Sequence, residues 1–121
     1  MPNSNQYQVV INGDLVTTIA NNASVSDAMD LSGTTLVAYI MPAAWTAANI
    51  TFQASVDGIN FYNIYDQSGN ELIHNVANSR MIILTPSDLA GVRYIKMRSG
   101  TSAAPVAQGA QRQIIYVTRA I

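Results

Sequence analysis

Acid–base chemistry near neutral pH calls first for histidine, and this sequence has one, His74, in "ELIHNVAN". A nucleophilic triad needs a serine and a carboxylate brought to that ring by the fold. No G-x-S-x-G, no H-E-x-x-H and no phosphate-binding glycine loop occurs to mark such a site. Asp57, Asp66 and Glu71 stand close to Gly58 and Gly69, at the ends of hairpin-like segments. There an aspartate serves as a turn former, because its side chain bonds the main chain two residues on. A glycosidase pair would need two carboxylates facing each other across a cleft. Asp27, Asp30, Asp57 and Asp66 offer oxygen for calcium, but "DQSGNE" has neither the alternating acids nor the length of a calcium loop. Without cysteine there is no disulfide, thiolate zinc site or thiol nucleophile. His74 reads as a polar surface or strand-edge histidine, and the sequence leads us to expect no enzymatic activity, no metal and no cofactor.

Binding chemistry leaves fainter marks. "RYIKMR" sets cations beside Tyr94, which suits base stacking, but three cations make a poor phosphate groove and the net charge is −1. No nucleic-acid partner is expected. The only tryptophan, Trp45, lies among alanines in "MPAAWTAA". It either plugs one end of a core or anchors a partner, as tryptophan does at interface hot spots. A carbohydrate site would require Tyr62, Tyr65 and Arg93, with Trp45 and Arg98, to converge at one end of the fold. Otherwise the two tyrosines are cross-strand packing residues.

The elements that must position these residues read as strands. Turn signals recur along the chain at the spacing of a sandwich or barrel. "QYQVVI" (6–11) and "LVTTI" (15–19) flank Asn12-Gly13, a strong hairpin signal. Further strands are expected at 34–41, 49–55, 61–65, 71–75, 80–84, 92–99 and 111–121. Residues 21–33 read as an irregular connector, 43–48 as a loop or single helical turn, and 85–91 as a short helical turn with Thr85 as N-cap before Pro86. In 49–55, Ile50, Phe52 and Ala54 should share one face; in 92–99, Ile95 and Met97 should point inward and Lys96 and Arg98 outward. The expectation is an all-β, two-sheet antiparallel sandwich, jelly-roll-like, of about eight or nine strands. It forms one domain over 7–121 behind a flexible polar arm at 1–6.

With 121 residues the chain can bury its own core, and 49% of its residues are hydrophobic. Only 11% are charged, under half the roughly 25% usual in soluble domains. Surfaces so poor in charge desolvate readily, as protein interfaces do. All six cations lie at Arg80 or later, and six of the seven acids at or before Glu71. A fold that kept them apart would favour head-to-tail contacts between copies. No secretory leader and no apolar run of membrane-spanning length is visible.

Two resemblances add to this reading. "FQASVDGINFYNIYDQSGNEL", "NSRMIIL" and "AGVRYIKMR" resemble the second half of discoidin-type, galactose-binding-like sandwiches, through Ser55, Asp57, Gly58, Phe61 and the run from Val92 to Lys96. "MPAAWTAA", "SxDGxxFxxxYD" and "RSGTSxxPVxQ" (41–48, 55–66, 98–108) are similar to small structural proteins of tailed bacteriophages, over about residues 30–119. The second resemblance implies a virion protein made in the bacterial cytoplasm, and most simply a capsid decoration (cement) protein on the outside of the head. Its partners would be the major capsid protein and itself, as a homotrimer, with no nucleic acid and no membrane. Contact residues on that reading are Trp45, Arg98, Thr101, Pro105 and Gln108. The alternative is a carbohydrate-binding or host-attachment module of a fibre, spike or tail, with Tyr62, Tyr65 and Arg93 against the sugar.

Overall fold

The computed structural model describes residues 15–85 and 87–120. Residues 6–11, Asn12-Gly13, the arm at 1–6, Pro86 and Ile121 lie outside the described residues. Eight strands form two antiparallel sheets: β1 (Val16–Ile19), β2 (Met29–Asp30), β3 (Thr34–Ile40), β4 (Ile50–Ser55), β5 (Tyr62–Asn63), β6 (Met81–Ile83), β7 (Tyr94–Ser99) and β8 (Arg112–Ala120). One sheet runs β1-β8-β3-β6 and the other β2-β7-β4-β5. The expected all-β sandwich is therefore present, and no helix occurs among the described residues.

The two sheets meet over one core. From the first come Ile19, Leu36, Tyr39, Ile114 and Tyr116; from the second, Met29, Ile50, Phe52, Ile95 and Met97. Tyr39 and Phe52 touch edge to face across the layers, centroids 6.3 Å apart. In β3 strict alternation fails. The register against β8 slips between Leu36 and Ala38, so Val37 is a bulged residue and Leu36 and Tyr39, three apart, both point inward.

Several elements differ from the sequence reading, each for a physical reason. The connector contains β2, a two-residue strand on the edge of β7, held by Met29↔Ile95 and Asp30↔Tyr94. The 71–75 segment makes only isolated bridges, Tyr65↔Glu71 and Ile50↔His74. Residues 87–91 form turns rather than a helix, closed by Asp88 N–H to the Thr85 carbonyl and Val92 N–H to Leu89. In β4, Thr51 is buried although its neighbours Ile50 and Phe52 face the core. A second layer of loop covers that outer side. On β1, the Thr18 N–H goes to the Asp27 carboxylate and its carbonyl accepts the Asp27 N–H.

Candidate interaction surface

The chemistry-bearing residues are built into the scaffold. Ile95 and Met97 point inward as expected, at 0% exposure, but Arg98 does not point to solvent. Its side chain lies under the loop that follows β7. Nε donates to Thr51 Oγ1 (3.0 Å), Nη1 to Asn63 Oδ1 (2.9 Å) and Nη2 to Glu71 Oε2 (3.0 Å). Glu71 also accepts the Ser102 N–H, and Thr51 Oγ1 donates to the Gly100 carbonyl. A buried ion pair this fully bonded holds β7, β4, β5 and two loops in one arrangement.

Gln108 is 0% exposed, and both halves of its amide are bonded. Oε1 accepts the Thr46 N–H (2.8 Å) and Arg112 Nε–H (3.0 Å). Nε2 donates to the Thr46 carbonyl (3.0 Å) and Ser99 Oγ (2.7 Å). Trp45 is buried beside it and donates its indole N–H to the Ala48 carbonyl. Trp45, Arg98 and Gln108, three of the five contact residues implied by resemblance, thus point into the subunit. Thr101 closes a tight turn with Ala104, and Pro105 is exposed on the bridge to Gly100. That bridge requires glycine: Gly100 has φ +90°, and a Cβ there would lie 2.5 Å from the Ala104 carbonyl oxygen.

His74 is half-buried rather than a surface residue. Its ring lies parallel to Tyr39, with Nδ1 2.7 Å from the Tyr39 hydroxyl, and edge-on to Phe52. Burial lowers its pKa, which the Asp88 charge partly offsets. Burial also raises the Tyr39 phenol, so at neutral pH a protonated phenol shares this hydrogen bond with the imidazole. Among the described residues, the partners of the ring are aromatic, with no serine or carboxylate hydrogen-bonded to it. Among the described residues, no group of three His, Asp or Glu side chains is placed to hold a metal.

The sugar candidates do not converge. Tyr62 lines a shallow cavity of about 300 Å³ with Ala54, Val56, Ile64 and Val92, and no charged side chain lines it. Tyr65 lies elsewhere, its hydroxyl 3.3 Å from Ser102 Oγ. Arg93 pairs with Asp30 at 3.3 Å and stacks on Tyr94.

Among the described residues, most of the exposed large hydrophobic side chains fall into two places, with Tyr65 and Ile73 apart from both. The first is the outer face of the β1-β8-β3-β6 sheet. Its cross-strand registers set Val16, Ile115, Ile40 and Met81 in one row, and Val117, Ala38 and Ile83 in the next. Ile115, Met81 and Ile83 are 46%, 54% and 69% exposed. The matching outer rows of the other sheet are polar: Arg98–Thr51, Lys96–Gln53–Asn63 and Asp30–Tyr94–Ser55. A free sandwich presents polar rows on both outer faces; here one face does not. Periodicity could have found it, because β8 alternates over "RQIIYVTRA" with hydrophobic residues at both parities.

The second place is the β4–β5 loop. Val56 is 91% and Ile59 80% exposed, with Tyr62 beside them at 67%. The loop is not slack. Ser55 Oγ accepts the Gly58 N–H, and Asp57 Oδ1 accepts the Ile59 and Asn60 N–H groups at 2.8 and 2.9 Å. These bonds, Asn60 first, hold the Asp57 carboxyl well below the usual carboxylate range. Gly58, at φ +79°, passes against the Tyr94 ring. Two aliphatic side chains are therefore presented on a fixed backbone.

Searches against protein-family models, curated proteins and solved structures found no match to this chain.

Proposed function

We propose that this chain is a non-enzymatic structural protein of a tailed-bacteriophage virion, most simply a capsid decoration protein that binds the outside of the head and bridges capsid subunits. The single observation that carries this reading is the apolar outer face of one sheet on a body with 11% charged residues. Contiguous exposed apolar surface marks a protein contact. The rigid loops suit the same role, because a surface already ordered loses little entropy when it binds. Contact with neighbouring protein, a capsid subunit or another copy of the chain, runs on this reading through Met81, Ile83 and Ile115, together with the exposed Pro105, while Arg98, Gln108 and Trp45 hold the loops beneath in shape. An interface of the usual scale, ~1,600 Å² in total, would add binding free energy that opposes separation of neighbouring capsid subunits.

The test is co-sedimentation of the purified chain with phage heads that lack it. The wild type should pellet with heads and stay in solution with a sugar resin. Retention on the resin without binding to heads would favour the attachment-module reading instead.

A further inference from the structure

We propose that the two exposed apolar places are the two halves of one contact, made head to tail between copies of this chain. The β4–β5 loop of one copy lies on the outer face of the β1-β8-β3-β6 sheet of the next. This deepens the virion-protein reading and rests on it only for where the assembly acts.

Three observations carry it. The surfaces belong to different sheets and different edges, so a copy cannot satisfy one with the other in the manner of a core. Both are apolar and fixed: Val56 and Ile59 project from a loop tied by Ser55 and Asp57, and Met81, Ile83 and Ile115 stand on paired strands. Their charges are also complementary. Among the described residues, the only charges on the strands of the receiving sheet are arginines, Arg112 and Arg119, and Arg80 adjoins β6. Arg112 bonds Gln108 and Thr46. Arg119 and Arg80 are exposed, one beside Thr35 at the start of β3 and the other beside Met41 at its end, so they bracket the apolar rows. On the loop the charge is Asp57, which has no cationic partner among the described residues. The nearby cations are engaged: Arg93 pairs with Asp30, and Lys96 lies over the Phe61 ring at 4.3 Å. A face-to-face dimer of the sheet would instead set arginine against arginine.

A contact between two different patches is heterologous, and repetition closes it into a ring or continues it as a stack. Its signature is complementation between variants. The loop variant carries Val56→Gln and Ile59→Gln; the face variant carries Ile83→Gln and Ile115→Gln. All four positions are exposed, and melting temperatures within a few degrees of wild type confirm folding. Arg119→Glu is a second probe of the face that leaves every apolar side chain in place.

In sedimentation velocity over a concentration series, the wild type should assemble beyond a dimer. Each variant alone should run as a monomer, Arg119→Glu should weaken assembly by about tenfold, and the loop and face variants mixed should form a 1:1 dimer and nothing larger. Four results overturn the proposal: a monomeric wild type, a loop variant that still assembles, a mixture that stays monomeric, or no effect of Arg119→Glu. A loop variant that assembles while the face variant does not would assign the face to a like face or to the N-terminal residues 1–14. A wild-type monomer that still pellets with phage heads would overturn the self-contact and leave the decoration reading standing.

Discussion

At the residue scale, single side chains and one glycine decide how the loops are built, and their types say why. Gly100 is the sharpest case. Gly69 has nearly the same φ, +87°, but open space around its Cα, whereas Gly100 meets main chain from three residues. Gly69→Ala should lose only the left-handed penalty of about 1–2 kcal/mol. Gly100→Ala must also move the 104–106 segment, so urea unfolding should show a loss about twofold greater or more. Equal losses would mean that the segment yields freely. His74 gives a pH dependence whose sign follows from its lowered pKa. Between the unfolded value of about 6.5 and the lower folded value, the unfolded chain binds more protons, so stability rises with pH. Stability is thus fully present above about pH 6.5 and falls as pH drops through the folded pKa. Thermal melts should show that acid-side loss in the wild type and less of it in His74→Gln. An unchanged slope would place the titration elsewhere. The motif residues Ser55, Asp57, Gly58, Gly100 and Gln108 were conspicuous in the sequence because turns and buried amides demand those types. Their spacing did not reveal which groups of the chain they bond: Ser55, Asp57 and Gly58 one another, Gly100 Asn49 and Thr51, and Gln108 Thr46, Ser99 and Arg112.

At the element scale, seven of the eight strands fall within segments read as strands from the sequence, and only β2, inside the expected connector, was missed. β3, β4, β7 and β8 have runs of six to nine residues whose pattern suffices. β2 and β5 have two residues each, and exist because β7 and β4 offer them a paired edge. Alternation also assumes that an outward residue meets water. Thr51 and Arg98 break that assumption, because a loop folds back over them. The bulge at Val37 breaks it differently, by turning both Leu36 and Tyr39 inward. The Arg98 network ties these elements together, and Arg98→Met should cost about 3–5 kcal/mol, since it leaves Glu71 buried without its cation. Chemical denaturation would measure this. In the double variant Arg98→Met with Glu71→Gln, part of that loss should return; strict additivity would mean that the two side chains act independently.

At the scale of the whole molecule, the sandwich has one outer face that suits water and one that suits protein. Low charge suggested this in the sequence, but composition does not say where the apolar excess lies. Only the strand registers place Ile115, Ile40 and Met81 side by side. The same registers separate that face from the β4–β5 loop, whereas the charge asymmetry along the chain is largely cancelled by folding, since Arg93 pairs with Asp30 and Arg98 with Glu71. An exposed apolar face should also bind a hydrophobic dye when assembly is blocked. Arg119→Glu, which keeps the face intact, should raise fluorescence above that of the assembled wild type, and Ile83→Gln with Ile115→Gln should lower it below Arg119→Glu. The account as a whole is tested most directly by an image reconstruction of an intact particle containing the chain. It predicts copies on the outside of the head with Met81, Ile83 and Ile115 covered by neighbouring protein. Copies bound to the particle with that face turned to solvent, or a lone chain holding a sugar in the Tyr62 cavity, would contradict it.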